Sequence, residues 1–314
     1  MAIALDAEKM RAAKKIVFAG LDNGGKTTIN NALSENPVSI GFTKPTYLVR
    51  RDMFQFLDHD IISCDMGGQK SYIISYFKEP GRYFSETDAL IFVIDVQDGD
   101  RIIDATQYFK DILQQFNNVR IRPGIFVFFH KAERILQGTN TEDTANMNET
   151  RRIIVNINKD SFPLEFFTTT ILVPWTISTA FASVMKYLHP LDESVGVLLN
   201  DLATSLNLMV AVLMDQHMIP VMESVHAKEI DDLINNAAPN LFTLKSALDK
   251  IEVKPTKLAS FAWGTYDFIL ATTTESQAPL HVLLIGVHDA INHDMLEQGI
   301  SSFLEELATH LYFK

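Results

Sequence analysis

This 314-residue chain has little cysteine and no long apolar run. Its one cysteine, Cys64, has no partner for an intramolecular disulfide, which excludes a disulfide-stapled fold and indicates a reducing, cytoplasmic setting. No apolar run reaches the roughly 18 residues that a membrane-spanning helix needs. We therefore expect no direct membrane insertion, and recruitment to a membrane only through partners. The nine histidines do not stand in metal-ligand spacing with cysteines, so we expect ordinary core or surface histidines.

Basic residues are scarce in the second half of the chain. Residues 191–314 contain 17 acids, 6 lysines and no arginine, a net charge of −11, whereas residues 1–190 contain 22 acids and 21 bases, a net charge of −1. A field of this sign repels the phosphates of nucleic acids and of anionic lipids, so no nucleic acid is expected as a partner. The acidic surface is either simply solvated or a docking face for a basic partner, and the sequence leaves both open.

Strand-like and helix-like segments alternate through the first 190 residues. Apolar runs such as 89–94 and 125–129 are typical of strands buried on both faces. Strands are expected at 16–19, 47–57, 60–65, 89–94, 125–129 and 164–170, and helices from 26 and at 101–116, 149–159 and 175–188. Residues 136–148 are polar and turn-rich and are expected to form a loop. Repeated strand–helix units predict an α/β fold, with a mainly parallel sheet and helices on both faces.

The order of elements changes near residue 193. Helices are expected at 193–205, 228–249 and 291–311, and strands at 207–215, 218–225, 256–263, 265–273 and 279–287. Three consecutive strands with short connections indicate an antiparallel sheet and therefore an α+β layout. The chain is accordingly expected to hold two domains, residues 1–190 and 191–314.

A glycine-rich loop joins the first expected strand to the first expected helix. Gly20–Thr27 reads GLDNGGKT and matches the P-loop pattern GxxxxGK[ST]. In this pattern glycines let backbone N–H groups curl around phosphates, while Lys26 reaches the terminal phosphates and Thr27 offers its hydroxyl to magnesium. The expected nucleotide contacts here are Asp22, Asn23, Gly24, Gly25, Lys26, Thr27 and Thr28. The loop predicts a site for a nucleoside triphosphate with Mg²⁺.

A second motif, DMGGQ at 65–69, follows another expected strand. An acid at this position, Asp65, can hold magnesium through water. The N–H of Gly68 can bond a γ-phosphate, and Gln69 can orient a water molecule for in-line attack. The motif is short, but at this distance after a P-loop it favours a triphosphate-hydrolysing site.

A threonine between these two motifs completes the expected metal site. Thr46 can close on magnesium and on the γ-phosphate through its hydroxyl and carbonyl, and Thr43 is the alternative for this role. The expected metal ligands are Thr27, Thr46 and Asp65, and the expected catalytic residues are Gln69, Lys26 and Thr46.

The strand at 125–129 leads into a segment at which GTP-binding proteins read the base. It reads His130-Lys131-Ala132-Glu133, and a carboxylate there can accept two hydrogen bonds from the N1 and N2 edge of guanine. The acid is Glu133, one methylene longer than the usual aspartate, which bears on guanine selectivity. A solvated acid at a helix start is the alternative interpretation. The expected contacts on the base side are His130, Lys131, Glu133 and Thr170.

Taken in order, these motifs resemble those of a known family. The series GLDNGGKTT, PT, DMGGQ, HKAE and TT resembles Ras-superfamily small GTPases, and its P-loop and DxGGQ forms are most similar to the Arf group. HK in place of the usual NK is similar to the Rag/Gtr GTPases. The run ALIFVIDVQD at 89–98 resembles the Rag C/D subtype, and the segment 166–190 resembles the last strand and helix of Rag proteins. The order of elements after 193 resembles the roadblock domain of Rags.

This resemblance implies a GTP/GDP molecular switch that uses Mg²⁺ and hydrolyses GTP slowly. Its switch segments would be residues 40–50 and 66–84. It further implies that residues 191–314 form a roadblock-like or longin-like domain, which dimerises with a second Rag-like GTPase or with another copy of this chain. Docking on roadblock or longin scaffold proteins, and control by GTPase-activating and exchange factors, are also implied.

Two other functions stay open at this point. A non-cycling scaffold subunit would hold nucleotide while the acidic second domain assembles a complex, but intact Lys26, Thr27, Asp65 and Gln69 argue against it. A P-loop ATPase is the other alternative, and the HKAE segment argues mildly against that. The sequence also leaves homodimer and heterodimer open, although two copies that each carry −11 repel one another, which favours a less acidic partner.

Overall fold

The computed structural model describes residues 13–34, 46–57, 59–226, 258–272 and 279–311. The chain divides into two compact units, Met1–Leu188 and His189–Lys314. Among the described residues, every helix is too short or too polar to cross a lipid bilayer.

The first unit is built on a six-stranded sheet in the order β2-β3-β1-β4-β5-β6. Its strands are β1 (Lys14–Ala19), β2 (Val49–Phe56), β3 (His59–Met66), β4 (Ala89–Asp95), β5 (Gly124–His130) and β6 (Leu164–Thr168). The edge strand β2 pairs antiparallel with β3, and the other neighbours pair in parallel. The mainly parallel sheet expected from the alternating segments is confirmed.

Helices cover both faces of this sheet. They are α1 (Lys26–Ser34), α2 (Lys70–Lys78), α3 (Pro80–Tyr83), α4 (Ile102–Val119), α5 (Glu133–Leu136), α6 (Thr141–Asn158) and α7 (Pro174–Leu188). On one face, Leu90 and Phe92 lie in a buried cluster with Phe116 of α4. On the other, the ring of Phe126 in β5 lies 5.7 Å from the ring of Tyr187 in α7. Alternate side chains of each strand thus face different helices, which accounts for the continuous apolar runs.

The loop expected at 136–148 is wrong in its second half. Helix α6 begins at Thr141 rather than at 149. The side chain of Asn140 caps it, because its Oδ1 accepts hydrogen bonds from the backbone N–H groups of Glu142 at 2.9 Å and Asp143 at 3.2 Å. These two acids also lie at the positive end of the helix dipole. Composition concealed the helix because its first turns are almost entirely polar.

Three short helices of the first unit, α2, α3 and α5, also went unassigned in the sequence. Residues 66–84 were expected only as a switch segment, yet α2 and α3 occupy most of it. Tyr76 and Phe84 bury their rings in the core of the unit, so this segment is anchored by apolar packing.

The second unit contains a five-stranded antiparallel sheet in the order β8-β7-β11-β10-β9. Its elements are α8 (Glu193–Ser205), β7 (Val210–Met214), β8 (Pro220–Val225), β9 (Leu258–Trp263), β10 (Tyr266–Thr272), β11 (His281–Val287) and α9 (Leu296–Leu311). The helices α8 and α9 pack against each other, and α8 also packs on β7 and β8. The antiparallel sheet expected here is confirmed, while the helix expected at 228–249 lies outside the described residues.

Candidate functional site

The P-loop lies between β1 and α1 and is shaped by two glycines with positive φ. Gly20 has φ 141°, and a Cβ there would lie 2.2 Å from the carbonyl oxygen of Val93. Gly25 has φ 93°, and a Cβ there would lie 2.4 Å from Cδ2 of His130. No other residue fits either position, because β4 and β5 approach the loop too closely. Asp22, Asn23 and Gly24 form the rest of the loop, and Thr28 lies in the first turn of α1.

Lys26 folds back over this loop. Its Nζ donates a hydrogen bond of 2.7 Å to the carbonyl oxygen of Leu21, and the side chain is buried. Burial lowers the pKa of Lys26 to about 8, and the nearby carboxylates of Asp65 and Asp22 oppose that shift. The ammonium group therefore stays largely charged at neutral pH and is positioned to meet an anion.

Three side-chain oxygen atoms that can bind a metal ion lie close together beside the loop. Oδ2 of Asp65 accepts hydrogen bonds from the hydroxyls of Thr27 at 2.5 Å and Thr46 at 2.9 Å. The two hydroxyls lie 2.7 Å apart. The three residues predicted as metal ligands from distant parts of the sequence thus meet at one point.

Asp65 has the environment of a metal-binding carboxylate. It is fully buried, and its Oδ1 has no hydrogen-bond partner among the described residues. Burial raises the pKa of Asp65, and the hydrogen bonds from Thr27 and Thr46 and the charge of Lys26 counteract this. A buried carboxylate with one unpaired oxygen, beside two hydroxyls, fits the hard oxygen ligands that Mg²⁺ prefers.

Gly68 of the DMGGQ motif lies against the P-loop. The backbone N–H of Asp22 donates to the carbonyl oxygen of Gly68 at 3.2 Å, and a Cβ on Gly68 would lie 2.2 Å from that same nitrogen. Gln69 caps α2 with its carbonyl oxygen, which accepts from the N–H of Tyr72 at 2.9 Å. Its side chain is exposed and makes no capping bond among the described residues.

His130 lies underneath the P-loop. Its ring is buried against Gly25, and Nδ1 lies 3.1 Å from the hydroxyl of Thr169. Burial, with the charge of Lys131, lowers the pKa of His130 to about 4, so the imidazole is neutral. His130 therefore joins the phosphate loop to the strand ends that carry the base side of the site.

The carboxylate of Glu133, on the expected base side of the site, accepts hydrogen bonds from two side chains. Oε2 of Glu133 accepts a hydrogen bond from the hydroxyl of Thr170 at 2.9 Å, and Oε1 accepts one from Nε2 of Gln97 at 2.6 Å. The same Nε2 donates to the carbonyl oxygen of Lys131 at 2.8 Å. Partial burial alone would raise the pKa of Glu133, but these hydrogen bonds and that of its own backbone N–H lower it overall. The group is thus a fixed anion.

Three residues of this site went unnoticed in the sequence. Gln97 and Asp95 lie at the end of β4, and Asp95 accepts a hydrogen bond of 2.5 Å from Nζ of Lys131. Arg101 forms an ion pair with Asp22 of the P-loop and donates to its carbonyl oxygen at 3.3 Å. Their position just after a buried parallel strand is a usable signal, because ligands bind at the carboxyl ends of such strands.

The comparisons with known proteins agree with this geometry. The family model described as the Gtr1/RagA G protein conserved region matches residues 15–248. The chain is 37% identical over 111 residues to ADP-ribosylation factor-like protein 3 of Chlamydomonas reinhardtii, covering 34% of the chain and 58% of that protein. It is 38% identical over 106 residues to ADP-ribosylation factor 3 of Arabidopsis thaliana, covering 32% of the chain and 52% of that protein.

The chain therefore spans slightly more than half the length of the curated relatives it matches. Among solved structures it is similar to the Arl6 BBS3 small GTPase from Trypanosoma brucei with bound nucleotide analogue GppNp. That similarity has a TM-score of 0.45 and 20% identity, and covers 55% of this chain and 96% of that chain.

Proposed function

Because the chain belongs to the Gtr1/RagA family of G proteins, small GTPases of the Ras superfamily, we propose that its first 190 residues bind GTP with Mg²⁺ and slowly hydrolyse it to GDP and phosphate. The observation that carries this proposal is the meeting of Thr27, Thr46 and Asp65, with one carboxylate oxygen of Asp65 buried and unpaired. A bound Mg²⁺ would neutralise charge on the β- and γ-phosphates.

The residues around the metal ligands would bind the phosphates and orient the attacking water. Lys26 exchanges the carbonyl oxygen of Leu21 for a phosphate oxygen, which a buried ammonium binds strongly. The N–H of Gly68 would donate to the γ-phosphate, and the exposed side chain of Gln69 is available to orient the attacking water. In this proposal Thr46 contacts the γ-phosphate, and the switch segments expected from the sequence, 40–50 and 66–84, respond when that phosphate leaves; residues 40–45 lie outside the described residues.

Base selection in this proposal depends on Glu133. Its carboxylate is held by Gln97 and Thr170, and guanine must share those oxygens or replace a donor. We therefore expect GTP to bind better than ATP, but by a smaller margin than in relatives with aspartate at this position. His130, which is also expected on the base side, contacts Gly25 and Thr169 and so helps to hold the loop and strand ends in place.

The second unit is proposed to be a roadblock-like dimerisation domain that recruits scaffold partners. Within the part of this unit that the structure describes, β8 and β9 form the two edges of the antiparallel sheet, and Trp263 at the end of β9 is 68% exposed. A second Rag-like chain can continue such a sheet. Because residues 191–314 carry a net charge of −11, a less acidic partner is favoured over a second copy.

The first test is the identity of the nucleotide that the purified full chain carries. Denaturing the protein and separating the released nucleotides should give GDP or GTP. ADP or ATP would instead support an ATPase. Bound GTP that is never hydrolysed would support the alternative of a non-cycling scaffold subunit.

The oligomeric state tests the second unit separately. Light scattering should give a dimer for the full chain, alone or mixed with a less acidic Rag-like chain, and a monomer for a chain that ends at Leu188. A full chain that stays monomeric at about tens of micromolar under both conditions contradicts the dimerisation proposal.

A further inference from the structure

Two histidines and a buried aspartate meet in the second unit, far from any of the nucleotide motifs in sequence. Oδ2 of Asp267 lies 2.7 Å from Nδ1 of His288 and 3.6 Å from Nε2 of His293. One ligand atom from each of the three residues lies within 4.8 Å of the other two. The carboxylate is only 10% exposed, whereas the imidazoles of His288 and His293 are 59% and 46% exposed. The cluster is therefore open to solvent on one side and closed on the other.

The backbone holds these three residues in place. Asp267 belongs to β10, where it pairs with Gly286 of β11 on one side and with Ala262 of β9 on the other. The N–H of His288 donates to the carbonyl oxygen of Thr265 at 2.8 Å, just before β10 begins. The carboxylate and the first imidazole are thus positioned by the sheet itself.

A short turn brings the second imidazole to the same place. Two 3-10 turns, His288–Ala290 and His293–Met295, follow β11 and lead into α9. Between them Ile291 is buried, and its N–H donates to the carbonyl oxygen of Val287 at 3.1 Å. Nδ2 of Asn207 also donates to the carbonyl oxygen of Ala290 at 3.0 Å. This anchored turn places His293 beside His288 with ring centroids 5.3 Å apart.

We propose that Asp267, His288 and His293 form a zinc-binding site with a fourth position open to water. Zn²⁺ binds imidazole nitrogen and carboxylate oxygen at about 2.0–2.2 Å, so its ligand atoms lie about 3.4 Å apart in a tetrahedron. The 3.6 Å between Asp267 and His293 already matches. The pair at 2.7 Å has to open by less than 1 Å, which the exposed ring of His288 allows.

The second histidine separates this site from an ordinary ion pair. A hydrogen bond from His288 would by itself satisfy Oδ2 of Asp267, and a structural pair needs nothing more. Nε2 of His293 lies 3.6 Å from Oδ2 of Asp267 and 3.0 Å from the backbone carbonyl oxygen of His288, so a second imidazole nitrogen lies within reach of the same carboxylate. A metal ion replaces these hydrogen bonds with three coordinate bonds and ties β10 to the segment that begins α9.

The donor set also predicts which metal binds. Imidazole nitrogens suit Zn²⁺, Co²⁺, Ni²⁺ and Cu²⁺, whereas Mg²⁺ prefers oxygen ligands in an octahedron. An excess of Mg²⁺ therefore fills the site at Thr27 and Asp65 without occupying this cluster. The two sites can be measured independently in one protein.

The experiment uses the full, tag-free chain with GDP and excess Mg²⁺. Titration with Co²⁺ should produce the visible absorption of a four-coordinate ion, saturating at one equivalent and removed by Zn²⁺. The variants His288→Ala and His293→Ala, both at exposed positions, should weaken Zn²⁺ binding by at least about 100-fold, because losing even an outer partner of a metal ligand costs 10–100-fold. Zn²⁺ should also raise the unfolding midpoint of the wild type but not of these variants.

Asp289→Asn is the matched control for Asp267→Asn. Both remove one negative charge next to His288, but Asp289 is exposed and does not belong to the cluster. We expect Asp267→Asn to weaken binding like the histidine variants and Asp289→Asn to change it less than about threefold. The proposal is overturned if Co²⁺ gives no four-coordinate spectrum with the wild type, or if all three ligand variants bind Zn²⁺ as the wild type does. Circular dichroism of each variant excludes unfolding as the cause.

Discussion

The two units assemble their polar clusters by different geometric rules. In the first unit the sheet is mainly parallel, so residues at the carboxyl ends of different strands, such as Asp65 in β3 and Thr170 after β6, lie along the same edge of the sheet. In the second unit the sheet is antiparallel, so the start of β10 lies opposite the end of β11, with Tyr266 paired to Val287. That pairing is what brings Asp267 to His288. A parallel sheet brings together functional side chains from the loops after several strands. An antiparallel hairpin brings together side chains from the start of its first strand and the end of its second.

The two clusters also differ in donor atoms, and this difference can be tested directly. The first gathers a carboxylate and two hydroxyls, and the second gathers a carboxylate and two imidazoles. Substitutions in one unit should leave the other unit's ligand untouched.

The largest effect is expected for Asp65→Asn. Asparagine keeps one oxygen that can accept from the threonine hydroxyls, but the charge and the second carboxylate oxygen that would bind magnesium are lost, so affinity for GTP in the presence of Mg²⁺ should fall at least about 100-fold. Equilibrium binding of a fluorescent GTP analogue measures this. Asp60→Asn on the same strand is the control and should bind normally. An equal loss of Zn²⁺ binding at the second unit would contradict the independence of the two clusters.

The next largest effect is expected for Glu133→Ala. If this carboxylate receives the guanine edge, its loss should weaken GTP by about 10–100-fold and leave ATP nearly unchanged, since a hydrogen bond to a charged group contributes about 1.5–3 kcal/mol. Competition of labelled GTP with ATP and XTP is the measurement. If ATP competes as well as GTP against the wild type, Glu133 does not read guanine.

A smaller, purely kinetic effect is expected for Gln69→Leu. The side chain is exposed and lies beyond the hydroxyl cluster, so nucleotide affinity should be nearly intact. Single-turnover hydrolysis should slow by about tenfold or more, because the attacking water loses its orienting group. Gln107→Leu on the exposed face of α4 is the matched control. An unchanged rate in the Gln69 variant would remove this residue from the mechanism.

The smallest effect is expected for Gln97→Leu. Its amide positions one oxygen of Glu133, and only part of the roughly 1.5–3 kcal/mol of a hydrogen bond to a charged group should bear on base selection, because the carboxylate itself remains. The preference for GTP over ATP should therefore fall by about 3–10-fold while the hydrolysis rate of bound GTP stays the same. A preference that rises instead would mean that Gln97 competes with guanine for the carboxylate.

The sequence predicts the parts of the first site that belong to compact motifs. Lys26, Thr27 and Asp65 follow apolar strands at fixed positions in recognisable patterns, and the hydrogen bonds among Thr27, Thr46 and Asp65 join three segments that the sequence had already paired. Gln97 was missed because its contact with Glu133 depends on the register between β4 and β5, which no local pattern encodes.

The helical start of α6 and the histidine cluster show two further limits. At 141–148 the composition predicts a loop, and only the capping geometry of Asn140 identifies a helix. The histidines at 288 and 293 have no cysteine near them, and their third partner lies 21 residues before His288 on the neighbouring strand. The pairing of β10 with β11 brings Asp267 to the histidines and so sets which donor atoms meet. The sequence does not specify such pairing residue by residue.

The most direct test of the account loads the full chain with labelled GTP in Mg²⁺ and follows retained nucleotide and released phosphate in the same sample. We expect one guanine nucleotide per chain and slow phosphate release, on the order of 10⁻⁴ to 10⁻² per second without an activating partner. Asp65→Asn should abolish retention. Failure to retain GTP, equal retention of ATP, or retained GTP that releases no phosphate would contradict it.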